Sequence, residues 1–130
     1  MPEAGMERME KIRATLEAAL SVKAEKPVVL DVREVSSFAD TFVLVSGRSD
    51  RQVRSIADRI ERRLRGVGER PLGIEGTENG RWILMDFADL IVHVFLAEVR
   101  ELYDLERLWS DAPQIDAGIE LDASESLGAP

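Results

Sequence analysis

Leu90-Ile91-Val92-His93-Val94-Phe95 is the stretch on which the fold turns. It has the length of a strand and is apolar at odd and even positions alike, apart from His93. A strand with one solvated face alternates apolar and polar residues. One that is apolar on both faces belongs in the middle of a sheet covered from both sides. Just upstream, Trp82-Ile83-Leu84-Met85-Asp86-Phe87 reads as a second strand, and the tight Ala88-Asp89 turn lies between the two.

Working outward, residues 71–75 form a short extended piece, and Thr77-Glu78-Asn79-Gly80 is a strong turn signal. Ser49-Asp50-Arg51-Gln52 has the form of a capping box, in which the serine hydroxyl takes the Gln52 amide proton and the glutamine side chain reaches back. The helix it opens carries Val53, Ile56, Ala57, Ile60 and Leu64 on one face, places Asp58–Arg62 and Glu61–Arg65 as i,i+4 pairs, and ends at Gly66 and Gly68. Before it, residues 28–32 and 41–45 are β-branched runs joined by Ser36-Ser37-Phe38-Ala39-Asp40, which predicts a hairpin. Met9, Ile12, Leu16, Ala19 and Leu20 recur at helical spacing, so residues 7–24 read as an amphipathic helix stopped by Pro27. Residues 98–109 read as a last helix, with Leu102, Leu105 and Trp109 on one side. The order is α-β-β-α-β-β-β-α, an α/β single domain over residues 1–113 with a mixed sheet and packed helices. Residues 114–130 carry Asp116, Glu120, Asp122 and Glu125 with no basic residue, and are expected to be an acidic, disordered tail.

Bulk properties exclude several classes. The 130 residues suit one core, and the absence of cysteine removes disulfides, thiol nucleophiles and cysteine-based zinc sites. No run approaches the ~20 apolar residues of a membrane span, and residues 1–10 have no apolar signal core, so a cytoplasmic protein is expected. The net charge of −8 is uneven: residues 48–70 hold eight arginines and four acids, a local +4 that leaves −12 elsewhere. An acidic body argues against broad coating of nucleic acid and fits a basic protein partner, whose approach its field would accelerate.

The enzymatic reading is metal-assisted phosphoryl transfer. Gly47-Arg48-Ser49 between strand and helix offers amide protons to a phosphate, with Asp86 and Asp89 as magnesium ligands. A nucleotidyltransferase needs an Asp-x-Asp pair so that strand alternation aims both carboxylates one way; the spacing here is Asp86-x-x-Asp89, which does not. His93, the sole histidine, reads as a neutral histidine with one bonded nitrogen rather than a metal ligand or triad base. The arginines at 48, 51, 54, 59, 62, 63 and 65 read as a solvated, acid-paired face that touches RNA only incidentally. Trp82, Leu84 and Asp86 share one strand face, and Ile83, Met85 and Phe87 the other. Either helices cover both faces, or Trp82 and Leu84 form an exposed anchor ringed by carboxylates, as in a protein-binding hot spot. Tyr103 and Trp109 pose the same choice, with core favoured.

Several long motifs stand in register. Residues 36–42 and 46–53 resemble the first signature of the ribosomal silencing factor (Iojap) family; 70–76 and 80–86 resemble the second; 89–95 and 103–109 complete the set. The resemblance spans residues 8–113 and implies a nucleotidyltransferase-like topology without the catalytic carboxylates, hence no enzyme and no cofactor. It implies binding to ribosomal protein fourteen of the large ribosomal subunit, which blocks small-subunit joining and lowers translation under nutrient limitation. By position it implies a contact through Trp82, Leu84, Asp86 and Asp89, with Glu75 and Tyr103 beside them. The alternatives carried forward are a residual metal-dependent nucleotidyltransferase and an RNA-binding module using the arginine helix; a homodimer through the same apolar face is also open.

Overall fold

A computed structural model describes residues 4–104, 107 and 110–116. The chain runs α1 (Ala4–Ser21), β1 (Glu25–Asp31), β2 (Thr41–Gly47), α2 (Asp50–Gly66), β3 (Gly73–Glu75), β4 (Trp82–Asp86), β5 (Leu90–Leu96) and α3 (Ala97–Tyr103). This is the element order that the hydrophobic pattern predicts. Among the described residues the strands form one mixed sheet in the order β1-β2-β5-β4-β3. The stretch apolar on both sides, β5, is the middle strand, parallel to β2 and antiparallel to β4. β1 and β2 pair antiparallel, as the short loop between them requires.

Strand alternation sorts the side chains onto two faces. Val29, Val43, Val45, Ile83, Met85, Val92 and Val94 point to the first face, where they meet Ile12, Leu16 and Ala19 of α1 and Val53, Ile56, Ile60 and Leu64 of α2. All of these are buried, most completely. Each large aliphatic side chain so removed from water contributes about 1.5–3 kcal/mol, so this layer is the main source of stability. On the second face Leu30, Phe42, Leu44 and Phe95 pack under Val32, Ala39, Val99 and Ala112. That cover comes from loop, tail and the short α3, which packs on β5 and β2.

α2 is held as its sequence demands. The Gln52 N–H donates to Ser49 Oγ at 3.1 Å, while Gln52 Oε1 accepts from the Arg48 N–H at 2.6 Å, one residue earlier than a simple capping box. The same amide donates to the Val22 and Lys23 carbonyls, so the cap also ties α2 to the end of α1. The ion pairs Asp58–Arg62 and Glu61–Arg65 form, and Asp50–Arg54 adds a third.

Some expected boundaries are corrected. α1 ends at Ser21, before residue 24, where Lys23 takes φ 64°. Pro27 lies inside β1 rather than beyond a helix; β1 is an edge strand with an irregular register between Glu25 and Val28, the place where a strand tolerates a residue without an N–H. α3 ends at Tyr103, where Asp104 turns left-handed with φ 49°; of residues 105–109 only Arg107 is described. Its buried residues are Val99 and Arg100, whereas Leu102 is 71% exposed; Leu105 and Trp109 lie outside the described residues. Residues 113–115, on either side of the expected division, bond to β1: the Pro113 carbonyl accepts from the Asp31 N–H, the Ile115 N–H donates to Val29 O, and Gln114 bridges Leu30. Residues 117–130 of the expected tail lie outside the described residues.

Candidate protein-binding face

The cover over the second face lies on β1, β2 and β5, where Leu30, Phe42, Leu44, His93 and Phe95 are buried and Val28 and Ile91 partly so. On β4 no residue of this face is fully buried: Trp82, Leu84 and Asp86 alternate as partly buried residues with the buried Ile83 and Met85. Register places Ile91 opposite Asp86, His93 opposite Leu84, and Phe95 opposite Trp82, all on this face. On the other side of β4, Glu75 lies opposite Leu84. Glu75, Gly76, Trp82 and Leu84 line a groove of about 320 Å³. Trp82 and Leu84 are thus neither wholly covered nor fully exposed.

Gly76 makes this groove possible. Its φ is +92°, and a Cβ there would lie 2.0 Å from the Trp82 carbonyl oxygen. The chain leaving β3 thus crosses directly over the backbone of Trp82, which brings Glu75 beside the indole. The following turn is clamped from the far side of the sheet by Arg54, which donates from Nε to Thr77 O and from Nη2 to Glu78 O, both at 2.8 Å. Arg54, expected from sequence on a solvated, acid-paired face, pairs with Asp50 and also braces this turn. Arginines on and just before that helix face acids or a hydroxyl: Arg48 pairs with Glu25, Arg63 with Glu17, and Arg59 donates to Ser21.

Beneath the groove is an aromatic cluster. Trp82 Nε1–H donates to His93 Nδ1 at 3.2 Å. The indole centroid is 5.2 Å from Phe95, the His93 ring stacks on Phe95 at 5.8 Å, and Phe42 meets His93 edge-on at 4.9 Å. His93 is 4% exposed, and burial pushes its pKa down to about 4, so it is neutral at physiological pH. The expectation of a neutral, hydrogen-bonded histidine is met, with Trp82 as the donor that sequence could not name.

Of the residues singled out from sequence, Glu75, Trp82 and Leu84 come together, and Asp86 continues their face. Asp86 Oδ1 accepts from the Ala88 N–H at 2.8 Å, which shapes the turn. Asp89 is oriented differently: its carboxylate pairs with Lys11 of α1 at 3.0 Å, and Lys11 also meets Glu69 at 3.2 Å. Burial alone would lower the Lys11 pKa, but the hydrogen bonds and charges of Asp89 and Glu69 outweigh it and hold it above the ordinary value. Asp86 and Asp89 thus serve different partners, and among the described residues no group of three or more His, Cys, Asp or Glu is placed to hold a metal ion. Tyr103 ends α3, outside the groove, and is 57% exposed, which corrects the core assignment favoured from pattern. Sequence reasoning missed Ile91, whose place beside Asp86 follows only from the strand register. No described helix is long and apolar enough to cross a membrane.

Comparison with known proteins bears on the family and the fold. A family model described as "Ribosomal silencing factor during starvation" matches residues 6–128. The chain is 36% identical to the ribosomal silencing factor RsfS of Halalkalibacterium halodurans, over 85% of this chain and 95% of that one. It is 40% identical to the protein of that name from Bacillus subtilis, over 72% and 80%. A crystal structure of a Chromobacterium violaceum protein superposes with a TM-score of 0.75 at 35% identity, covering 78% of this chain and 84% of that one. With the family model matched over nearly all of its length, the chain belongs to the ribosomal silencing factor family.

Proposed function

We propose that this protein binds the large ribosomal subunit through ribosomal protein fourteen and sterically prevents the small subunit from joining, which lowers translation when nutrients are scarce. It acts by occupancy, without catalysis, in the cytoplasm. The observation that carries the reading is the uncovered groove of Trp82, Leu84 and Glu75, continued by Asp86, in a chain of this family. A partly buried tryptophan beside carboxylates suits a basic protein surface: the ring and Leu84 supply apolar burial, and the acids meet lysines and arginines at the rim. The chain's net charge of −8 adds long-range attraction to such a partner.

The discriminating experiment is sedimentation of the purified protein with isolated large subunits, isolated small subunits and joined ribosomes. The reading requires binding to free large subunits, none to small subunits, and fewer joined particles when the protein is added first. Absence of co-sedimentation with large subunits rejects it. A rise in melting temperature with nucleotide and magnesium would then favour the transferase reading instead.

A further inference from the structure

Resting on the reading of the β4 groove as the docking surface, we propose that His93 is a positioning residue for the Trp82 anchor, fixing the indole so that its apolar ring and not its N–H is offered to the partner. The strand register supplies the first argument. Trp82 lies directly opposite Phe95, and His93 is opposite Leu84, one same-face step along the strand. An indole that reaches His93 must therefore lean diagonally across the strand pair, which aromatic side chains are long enough to do. The 3.2 Å bond from Trp82 Nε1–H to His93 Nδ1 selects that lean over an upright one. Phe95, 5.2 Å from the indole, supports the ring from below.

His93 is itself immobilised. It is 4% exposed, stacked on Phe95 with an interplanar angle of 9°, and met edge-on by Phe42. Burial keeps the ring neutral at physiological pH, and because Nδ1 faces the indole N–H the ring takes the Nε2–H tautomer, which leaves the Nδ1 lone pair to accept. The only polar atom of the tryptophan side chain is thus satisfied inside the protein before any partner arrives. An indole N–H carried into an apolar contact unpaired would weaken binding, and a ring free to swing would lose orientational freedom on docking. The pair removes both costs.

The test separates this role from that of a space-filling ring. His93→Leu removes the acceptor at similar bulk, and His93→Asn returns an acceptor near the Nδ1 position. In the free, full-length protein, the indole N–H resonance of Trp82, assigned by its loss in Trp82→Phe, should shift upfield and exchange faster in His93→Leu and recover in His93→Asn. Affinity for isolated large subunits should fall about three- to tenfold in His93→Leu, the worth of one hydrogen bond. It should be regained in part by His93→Asn, at unchanged salt dependence. An indole resonance unaltered by His93→Leu overturns the proposal, as does equal affinity of the two variants. If His93→Leu fails to fold, His93→Asn against wild type carries the indole measurement, and an upfield-shifted, fast-exchanging N–H there also overturns it. The docking reading fails separately, if Trp82→Ala binds large subunits like wild type.

Discussion

The two faces of this sheet are built from the same strands yet are finished differently. On the first, α1 and α2 lay a continuous aliphatic layer of Ile12, Leu16, Val53, Ile56, Ile60 and Leu64 over Val43, Val45, Val92 and Val94. On the second, loop, tail and a short helix cover Phe42, Leu44 and Phe95 but leave Trp82 and Leu84 partly open. Apolar residues on the first face are therefore spent on folding, while those at the β4 end of the second remain available for recognition. The contrast assigns a different consequence to truncation on each side.

The largest effect is expected on the covered face. Ile60→Ala, at a fully buried position, should lower unfolding free energy by about 2–5 kcal/mol in urea denaturation, while the remaining folded protein binds large subunits normally. A comparable loss of binding by the folded fraction would break the division between the faces. The next effect is a pH slope that belongs to the second face. His93 titrates at about 4 when folded and near 6.5 when unfolded. Between those values the unfolded chain binds the additional proton, so stability declines as pH falls from 6.5 towards 4 and levels off below. The amplitude is on the order of 3 kcal/mol, and His93→Leu should abolish it. A slope that persists in that variant would place the responsible group elsewhere; Asp31, held at about 2 by hydrogen bonding to Arg33, acts only at lower pH.

Trp82→Ala should cost about 2 kcal/mol or more of large-subunit binding, read from a pelleting titration, with the circular dichroism spectrum kept. The smallest effects are electrostatic. Glu75→Gln and Asp86→Asn should each weaken binding by about 0.5–1 kcal/mol, as solvent-screened rim charges do, and flatten its dependence on salt. Asp89→Asn should instead act on stability, since its carboxylate is engaged by Lys11. A binding defect of the same size at Asp89 would show that the rim extends past the turn.

What could be read from the sequence was what local pattern controls. β5 was legible as the central strand because apolar residues at odd and even positions alike favour cover on both faces. α2 was legible because its cap, its apolar stripe and its ion pairs agree. Pro27 misled because its place in a β1 irregularity depends on pairing with β2. Leu102 and Tyr103 misled because an apolar residue at helical spacing does not reveal whether anything lies against it. The candidate site was half legible: alternation grouped Trp82, Leu84 and Asp86 but could not say which end of the sheet stays uncovered. The contacts that decide the roles of Asp89 and Trp82 span 78 and 11 residues, to Lys11 and His93, and only the assembled sheet brings them together.

The central claim, that the uncovered end of the second face is the contact with the large subunit, is tested most directly by photo-crosslinking. A photoreactive residue is placed at exposed Glu75 beside the groove or, as control, at Arg62, whose side chain is 72% exposed on α2. Each variant is irradiated with isolated large subunits and the adduct is identified by mass spectrometry. The account predicts a crosslink from position 75 to ribosomal protein fourteen and none to that protein from position 62. A crosslink to it from position 62 with silence at position 75 would contradict the account and move the interface to the helical face.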